Sequence, residues 1–227
     1  MSLADPNVVL VSMPWASTAY PSLAVGLLTG AARARGYRCR GEYPSLDFSA
    51  TIGPDVYEWF ANESAFFMLC EHLFAVDVFG RSALRSDPFL ASFARGHSEV
   101  AFAPTELSLD MLEGLRDVTV PVFLDECAAR LLDDAPDVVG FTCVFNQALP
   151  SLALAKRIKE ARPETTVVFG GGLMHGPMGP AIARTFPQWI DHVFNGEGDE
   201  AFPAWLDGRA RGDVRAVPGI TVNGTRP

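Results

Sequence analysis

Residues 137–170, DVVGFTCVFNQALPSLALAKRIKEARPETTVVFG, decide the fold. The β-branched runs DVVGFT and TTVVFG at the two ends of this stretch are typical of strands buried on both faces. The segment between them has apolar residues at helical spacing, which predicts an amphipathic helix. A strand, a crossover helix and a second strand form the unit from which parallel sheets are built. The stretch therefore predicts an α/β protein.

The same order of elements occurs at the start of the chain. Residues 7–13, NVVLVSM, predict a first strand, and the segment PSLAVGLLTGAARARGY after it predicts a helix. On this helix Leu23, Leu27 and Ala31 share one face. A weaker second strand is predicted at residues 37–43.

Strands and helices also alternate after the central unit. GPMGPAIARTFP predicts a helix, IDHVFN a strand, GEGDEAFPAWLDG a short helix and PGITVNG a last strand at the edge of the sheet. Together with the first strand and helix, this order predicts a doubly wound parallel sheet of the flavodoxin-like or Rossmann-like type.

The stretch from about residue 54 to residue 130 interrupts this alternation. Its aromatic residues and leucines recur at helical spacing and prolines divide it, so we predict a helical insertion of three or four helices. We expect residues 1–227 to form a single domain that includes this insertion. The aromatic side chains of the insertion either pack in the core, which is the commoner outcome, or form a surface for a partner. They are Trp59, Phe66, Phe67, Phe74 and Phe79.

Composition argues against several classes of function. The net charge of −9 disfavours nucleic acid as a partner, and no apolar run reaches the ~18 residues of a membrane-spanning helix. The N-terminal sequence lacks the basic start of a signal peptide, so we expect a soluble, cytoplasmic protein. The four cysteines and four histidines show no metal-ligand spacing, and the patterns GxGxxG, GxxxxGK[ST] and GxSxG do not occur. No catalytic residue and no metal ligand is predicted.

The loops that follow the strands are the candidate site, because open parallel sheets bind ligands outside the carboxyl ends of their strands. The first of these loops begins Met-Pro-Trp, and the loop after DVVGFT carries hydroxyl and amide groups. A triple glycine follows TTVVF, and a Gly-Glu-Gly turn follows IDHVFN. The candidate cofactor-binding residues are Met13, Pro14, Trp15, Thr142, Cys143, Asn146, Gln147, Gly170, Gly171, Gly172, Gly196, Glu197 and Gly198.

Several of these candidates also have a purely structural interpretation. Three glycines in a row let a ligand approach the backbone, but a tight strand-to-helix turn needs only one. Asn146 is suited to cap the helix that follows it, and Glu197 is favourable at a helix start on electrostatic grounds alone. His175 either contacts a ligand at this edge or is a solvated loop residue.

The order of these motifs resembles a known family. VVLVSMPWASTAYPSLAVGLL, the stretch from DVVGFT to VVFGGG, and FNGEGDEAFPAWL together look like the N-terminal cobalamin-binding region of cobalamin-dependent radical S-adenosylmethionine (SAM) enzymes. The helical stretch YEWFANESAFFMLCEHLFAVDVFG is similar to the subgroup that matures ribosomally made peptides, in RiPP biosynthesis. The resemblance covers nearly the whole chain.

The resemblance implies where cobalamin (vitamin B12) would bind. In such domains the corrin ring lies across the carboxyl ends of the strands, and its dimethylbenzimidazole tail runs beside the sheet. Thr142 matches the loop of the family that bears Ser or Thr after the middle strand. Gly170, Gly171 and Gly172 match the glycine-rich loop that lines the nucleotide tail, and residues 196–198 would border the same pocket.

Two departures from the family pattern bear on this expectation. The loop SMPWASTAYPS has neither Asp nor His where other cobalamin domains carry the DxHxxG motif, which implies a cobalt without a histidine ligand. Trp15 and Tyr20 are candidates to cover the lower face of the cobalt instead. In addition, the chain reaches Pro227 without the CxxxCxxC motif that holds a [4Fe–4S] cluster in these enzymes.

The resemblance therefore implies a cobalamin-binding module of a radical SAM methyltransferase that is not catalytic alone. We expect either a fragment of a longer enzyme or a subunit that docks on a radical SAM partner, which would supply SAM and the [4Fe–4S] cluster. A precursor peptide is a further expected partner. Two alternatives remain open: a regulatory or peptide-binding module that has lost the cofactor, and a flavodoxin-like domain that binds another cofactor such as FMN.

Overall fold

A computed structural model describes residues 6–63, 68–84, 88–96, 108–213 and 219–222. In these residues six strands form one sheet. The strands are β1 Asn7–Val11, β2 Arg38–Glu42, β3 Val138–Thr142, β4 Thr166–Gly170, β5 His192–Phe194 and β6 Ile220–Val222. Their order across the sheet is β2–β1–β3–β4–β5–β6; β1 to β5 are parallel, and β6 runs antiparallel to β5. This confirms the predicted doubly wound sheet and the edge position of the last strand, of which the structure describes Ile220–Val222.

The helices connect these strands and cover both faces of the sheet. They are α1 Leu23–Ala34, α2 Pro44–Ile52, α3 Pro54–Glu58, α4 Leu69–Phe79, α5 Pro88–Gly96, α6 Leu109–Gly114, α7 Val120–Leu132, α8 Ala148–Ala161, α9 Met178–Thr185 and α10 Gly198–Ala210. Five-residue π-helical segments directly follow α3 and α6. Among the described helices, none combines the length and the apolar character that crossing a bilayer requires.

Two hydrophobic cores lie on the opposite faces of the sheet. Successive residues of a strand point to opposite faces, so Val8 and Leu10 belong to one core and Val9 and Val11 to the other. The core around Leu10 is closed by α1 and α10. The core around Val9 is larger, because the helices between β2 and β3 pack there together with α8 and α9.

The helical stretch between β2 and β3 begins earlier than predicted. Its first helix starts at Pro44, not near residue 54, and its last ends at Leu132. Pro44 is in the first turn of α2, where the missing proline N–H has no intrahelical partner to lose. The sequence signal was a proline that starts a helix directly after a weak strand.

The aromatic residues of the helical stretch do not share one environment. Trp59 and Phe74 are buried in the larger core, whereas Phe79 is half exposed at the end of α4. Phe66 and Phe67 lie outside the described residues. For Trp59 and Phe74, packing in the core is the observed outcome.

The apolar side of α1 is not the side that packs in the core. The buried residues of this helix are Val25, Thr29 and Ala32, whereas Leu23 and Leu27 are 73% and 56% exposed. Val25 and Ala32 contact the core around Leu10. The exposed leucines line a cleft instead.

Candidate functional site

A cleft of about 1260 Å³ lies at the carboxyl ends of β1 and β3 and extends along the sheet face that α1 and α10 cover. The order of the strands reverses between β1 and β3, because β2 lies on one side of β1 while β4 and β5 extend on the other side of β3. Such switch points are the usual ligand sites of open α/β sheets. The cleft is larger than the ~300–1,000 Å³ of most small-molecule sites, so it suits a large ligand.

The floor of the cleft is formed where a strand lacks a side chain. Gly140 of β3 pairs with Leu10 on one side and with Val168 on the other, and all three line the cleft. A Cβ atom at residue 140 would lie 2.7 Å from Leu10 Cδ2 and 3.2 Å from Val168 Cγ2. The bare backbone therefore deepens the cleft between these two side chains. Gly140 was not among the predicted site residues, although a glycine inside a strand is a signal of close backbone approach.

Exposed apolar side chains surround the opening. Leu23 and Leu27 of α1 form part of one wall, and Tyr20, which is 78% exposed, precedes them in the loop after β1. Leu46 and Val144 line the cleft from the α2 region and from the loop after β3, and both are about half exposed. Apolar side chains gathered around one concave opening are typical of a binding site.

The structure brings residues from all four predicted loops together in this cleft, although the first loop contributes residues 16–20 and not its predicted site residues. Eight of the thirteen predicted site residues line it: Thr142, Gln147, Gly170, Gly171, Gly172, Gly196, Glu197 and Gly198.

The three consecutive glycines have different roles. Gly171 has a φ of +97° and a ψ of 174°, and a Cβ atom there would lie 2.5 Å from the carbonyl oxygen and 2.7 Å from the amide nitrogen of Cys143. This glycine is therefore needed for packing between the loops after β3 and β4. A Cβ atom at Gly172 would meet nothing within 4 Å, and one at Gly170 would only touch Phe194 Cβ, at 3.6 Å. Backbone packing thus requires a glycine at residue 171, whereas Gly172 borders open space beside the cleft.

Gln147 ties two of the loops together from beneath the cleft. Its buried side-chain amide donates to the carbonyl of Met13, and its Oε1 accepts the amide of Val144 at 3.1 Å. The Cys143 thiol is fully buried and donates to the Ser151 hydroxyl at 3.3 Å. Burial raises the pKa of this thiol to about 12, so it stays protonated and unreactive at neutral pH.

Five predicted site residues do not line the cleft. They are Met13, Pro14, Trp15, Cys143 and Asn146, and all five are buried.

Trp15 lies in the larger core, on the far side of β1 from the cleft floor. Its indole N–H donates to the carbonyl of Cys70 at 3.1 Å, and the residue is 3% exposed. The centroids of four other rings lie 5.2–6.2 Å from it, those of Phe48, Tyr57, Phe60 and Phe74. A ring held in this cluster is not available to cover a ligand in the cleft, whereas Tyr20 lines the cleft.

The start of α8 is capped by a residue outside the predicted site. Asn146 has a left-handed φ of +65°, and Gln147 occupies the cap position without a capping side-chain hydrogen bond. Instead, the buried carboxylate of Glu71 from α4 accepts the amides of Ala148 at 3.0 Å and Leu149 at 2.7 Å. Burial raises the pKa of Glu71, although these hydrogen bonds act in the opposite direction. No local sequence signal identifies a cap that lies 77 residues away.

Carboxylates lie where α10 meets the cleft. Glu197 is the cap residue of α10, as its helix-start interpretation requires, and Asp199 lies in the first turn; both line the cleft. None of the described lining residues is Lys or Arg. An anionic ligand group would gain from the helix N-terminus but would be repelled by these two carboxylates. The cleft therefore suits a ligand with little negative charge at this end.

His175 is exposed and lines the cleft beyond the triple glycine. The loop that carries it is fixed by Asn195, whose side chain accepts the amide of Gly176 at 2.9 Å and donates to its carbonyl at 2.7 Å. Within the described residues, no three His, Cys, Asp or Glu side chains are grouped as a metal site.

The fold and the cleft together define an α/β domain whose candidate ligand site lies at the switch point between β1 and β3. No family model matches the chain. Over 110 residues, or 47% of its length, the chain is 33% identical to the cobalamin-dependent radical SAM methyltransferase TokK of Streptomyces tokunonensis. Over 112 residues it is also 33% identical to the 2-(S-pantetheinyl)-carbapenam-3-carboxylate methyltransferase of Streptantibioticus cattleyicolor. Each match covers 16% of the relative, so the chain corresponds to a small part of these proteins.

Proposed function

We propose that this chain is a cobalamin-binding module that serves a radical SAM methyltransferase-type enzyme. The large cleft at the switch point is the observation that carries the proposal. It occurs in a chain that is 33% identical, over 47% of its length, to a relative named as cobalamin-dependent. The second relative is likewise named as a methyltransferase.

The residues of the cleft fit a large cofactor with little net charge. Cobalamin combines a broad ring that carries amide groups with a narrower nucleotide tail, and its corrin nitrogens hold the cobalt without a cluster of protein ligands. Ser12 and Thr142 line the cleft among mostly apolar side chains, and Gln147 holds the loops beneath it. Gly140 and Gly172 expose backbone where a flat or narrow group can approach closely.

Each part of the cleft has a distinct role in this proposal. Gly140 and Gly172 would let the nucleotide tail approach the backbone, and Thr142 would border the cofactor at the strand ends. Tyr20 would contact the bound cofactor from the loop after β1, and Leu27 would help to exclude water from the cleft. When bound, cobalamin supplies a cobalt centre that can carry a methyl group, and the protein supplies position and surroundings.

The methyl-transfer reaction requires further components. A radical SAM domain, in the same protein or in a partner subunit, supplies S-adenosylmethionine and the [4Fe–4S] cluster. The substrate is a precursor peptide, in the maturation of a peptide natural product, and the reaction takes place in the cytoplasm.

Cobalamin retention tests the proposal. The purified chain is incubated with hydroxocobalamin, unbound ligand is removed by gel filtration, and the absorption spectrum of the protein fraction is recorded. Gly172→Trp fills open space beside the cleft, whereas Gly171→Trp would clash with the backbone of Cys143 and confuse blocking with misfolding. Gly30→Trp is the matched control, because Gly30 is on the exposed side of α1, does not line the cleft, and has no atom within 4 Å of the point that a Cβ would occupy.

We expect near-stoichiometric retention by the wild-type chain and by Gly30→Trp, and strongly reduced retention by Gly172→Trp. Co-purification of a flavin chromophore would instead support the FMN-binding alternative, although the carboxylates at the start of α10 disfavour a phosphate there. If neither this chain nor its complete complex with a radical SAM partner retains the corrinoid, the proposal is refuted in favour of a module without the cofactor.

A further inference from the structure

We propose that Glu58, on α3 of the helical stretch, is the positioning residue that holds the cleft-forming loop after β1 in its ligand-binding conformation. This inference rests on the proposed function, because it assigns a role in ligand retention to a residue outside the cleft. Residues 16–20 are this loop, and every one of them lines the cleft.

The Glu58 carboxylate accepts four hydrogen bonds, three of which come from this loop. Its Oε1 accepts the backbone amide of Thr18 at 2.6 Å and the hydroxyl of Thr18 at 2.5 Å. Its Oε2 accepts the hydroxyl of Ser17 at 3.0 Å and the side-chain amide of Asn62 at 2.9 Å. Three of these four hydrogen bonds join residues that are 40 or 41 positions apart in sequence, so they fix the loop to the helical stretch.

The neighbouring residue of α3 supports the same loop. The hydroxyl of Tyr57 donates to the carbonyl of Ala16 at 2.7 Å, and the Tyr57 ring is buried in the larger core. Within the loop itself the described bonds are weaker: Ala16 N–H reaches the carbonyl of Met13 at 3.4 Å, and Ala19 N–H reaches Ser17 Oγ at 3.2 Å. The position of the loop therefore depends on α3 more than on its own hydrogen bonds.

The charge of Glu58 suits this role. Although partial burial acts in the opposite direction, the hydrogen bonds from Thr18 and Ser17 lower the pKa of the Glu58 carboxyl. At neutral pH it is an anion, and hydrogen bonds to a charged acceptor are stronger than those between neutral groups. Removing it leaves the Thr18 amide without its acceptor, and the loop is then free to leave the cleft wall.

Two variants and one control test the inference. Glu58→Ala removes all four hydrogen bonds, and Glu58→Gln keeps one acceptor oxygen and serves as the conservative variant. Asp55→Ala is the control, because Asp55 is an exposed carboxylate on the same helix that neither lines the cleft nor bonds the loop in the described structure. Hydrogen–deuterium exchange of peptides that cover residues 16–20 is measured on the ligand-free chain, and the rate of hydroxocobalamin release is measured on the loaded chain.

We expect exchange of the loop and release of the corrinoid to be about tenfold faster or more in Glu58→Ala, with Glu58→Gln intermediate and Asp55→Ala unchanged. Two measurements separate this role from a general loss of stability: the thermal unfolding midpoint, and hydrogen exchange in β3 and β4, which should stay at the wild-type level. If Glu58→Ala does not fold, the comparison of Glu58→Gln with Asp55→Ala decides by the same criteria.

The result distinguishes failure of this inference from failure of the proposed function. If wild type binds corrinoid neither alone nor in its complete complex with a radical SAM partner, but loop exchange rises in Glu58→Ala, the positioning of the loop stands and cobalamin is the wrong ligand. If wild type binds corrinoid and the Glu58 variants match Asp55→Ala in both exchange and release, the inference is overturned while the proposed function stands.

Discussion

Replacing Gly171 with alanine, with Gly172→Ala as its matched control, separates backbone packing from ligand contact in the triple glycine. The two positions are adjacent and receive the same single methyl group. At Gly171 the new Cβ atom would lie 2.5 Å from the carbonyl oxygen of Cys143, whereas at Gly172 it would meet nothing within 4 Å. A difference between the two variants therefore reports the local backbone and not the amino acid introduced.

The expected magnitude follows from two costs at Gly171. A φ of +97° with a ψ of 174° falls in a region that essentially only glycine adopts, and a side chain there costs ~1–3 kcal/mol. Relieving the contact with Cys143 requires a backbone shift, which costs a further ~1–3 kcal/mol. We expect Gly171→Ala to lower the free energy of unfolding by about 2–6 kcal/mol, and Gly172→Ala to change it by less than about 0.5 kcal/mol.

Thermal and urea unfolding of the ligand-free chain, followed by circular dichroism, measure the difference. At about 2–4 °C per kcal/mol for a domain of this size, Gly171→Ala should lower Tm by at least about 4 °C relative to Gly172→Ala. Equal unfolding midpoints for the two variants would refute the packing argument. An unchanged far-ultraviolet spectrum of each variant is the control that the fold is retained.

Two further predictions concern buried side chains. Trp15→Ala removes a core ring and its hydrogen bond to Cys70, so we expect the free energy of unfolding in urea to fall by ~3–5 kcal/mol. A decrease under about 1 kcal/mol would contradict the core placement. Burial lowers the pKa of the His192 imidazole below its ordinary value of 6.5. The unfolded state therefore binds the imidazole proton more tightly than the folded state, and the free energy of unfolding falls as the pH falls below 6.5. His192→Phe should flatten that dependence between pH 7 and pH 5 in urea unfolding, and an unchanged slope would show that another group causes it.

The parallel sheet was predictable because its central strands are buried on both faces. Such a strand must be apolar at nearly every position, and the runs that form β1, β3 and β4 meet this requirement within five residues each. The helix between β3 and β4 was predictable for a related reason, since its apolar residues recur at the period of a helix. The choice of the loops after the strands as the candidate site then followed from the topology alone, because open α/β sheets bind ligands at the carboxyl ends of their strands.

Side-chain direction was less predictable, because it depends on packing between distant segments. Leu23 and Leu27 have the spacing of a core face, yet they line the cleft because α1 lies beside the switch point. Trp15 follows β1 directly, as a ligand contact would, but the helical stretch surrounds its ring. Glu71 caps a helix that begins 77 residues later, so no local pattern reveals it.

The sequence by itself determined the α/β class, a doubly wound parallel sheet and the loops that follow its strands, because periodicity and short turn signals are local properties of the chain. The order of the strands across the sheet was decided by tertiary pairing. Only the tertiary structure decided which residues of those loops face the cleft. It separated Gly171, packed against Cys143, from Gly172 beside open space, and it revealed Gly140 as the floor. Such assignments depend on contacts between residues far apart in sequence, and these contacts exist only once the two cores have packed on the sheet.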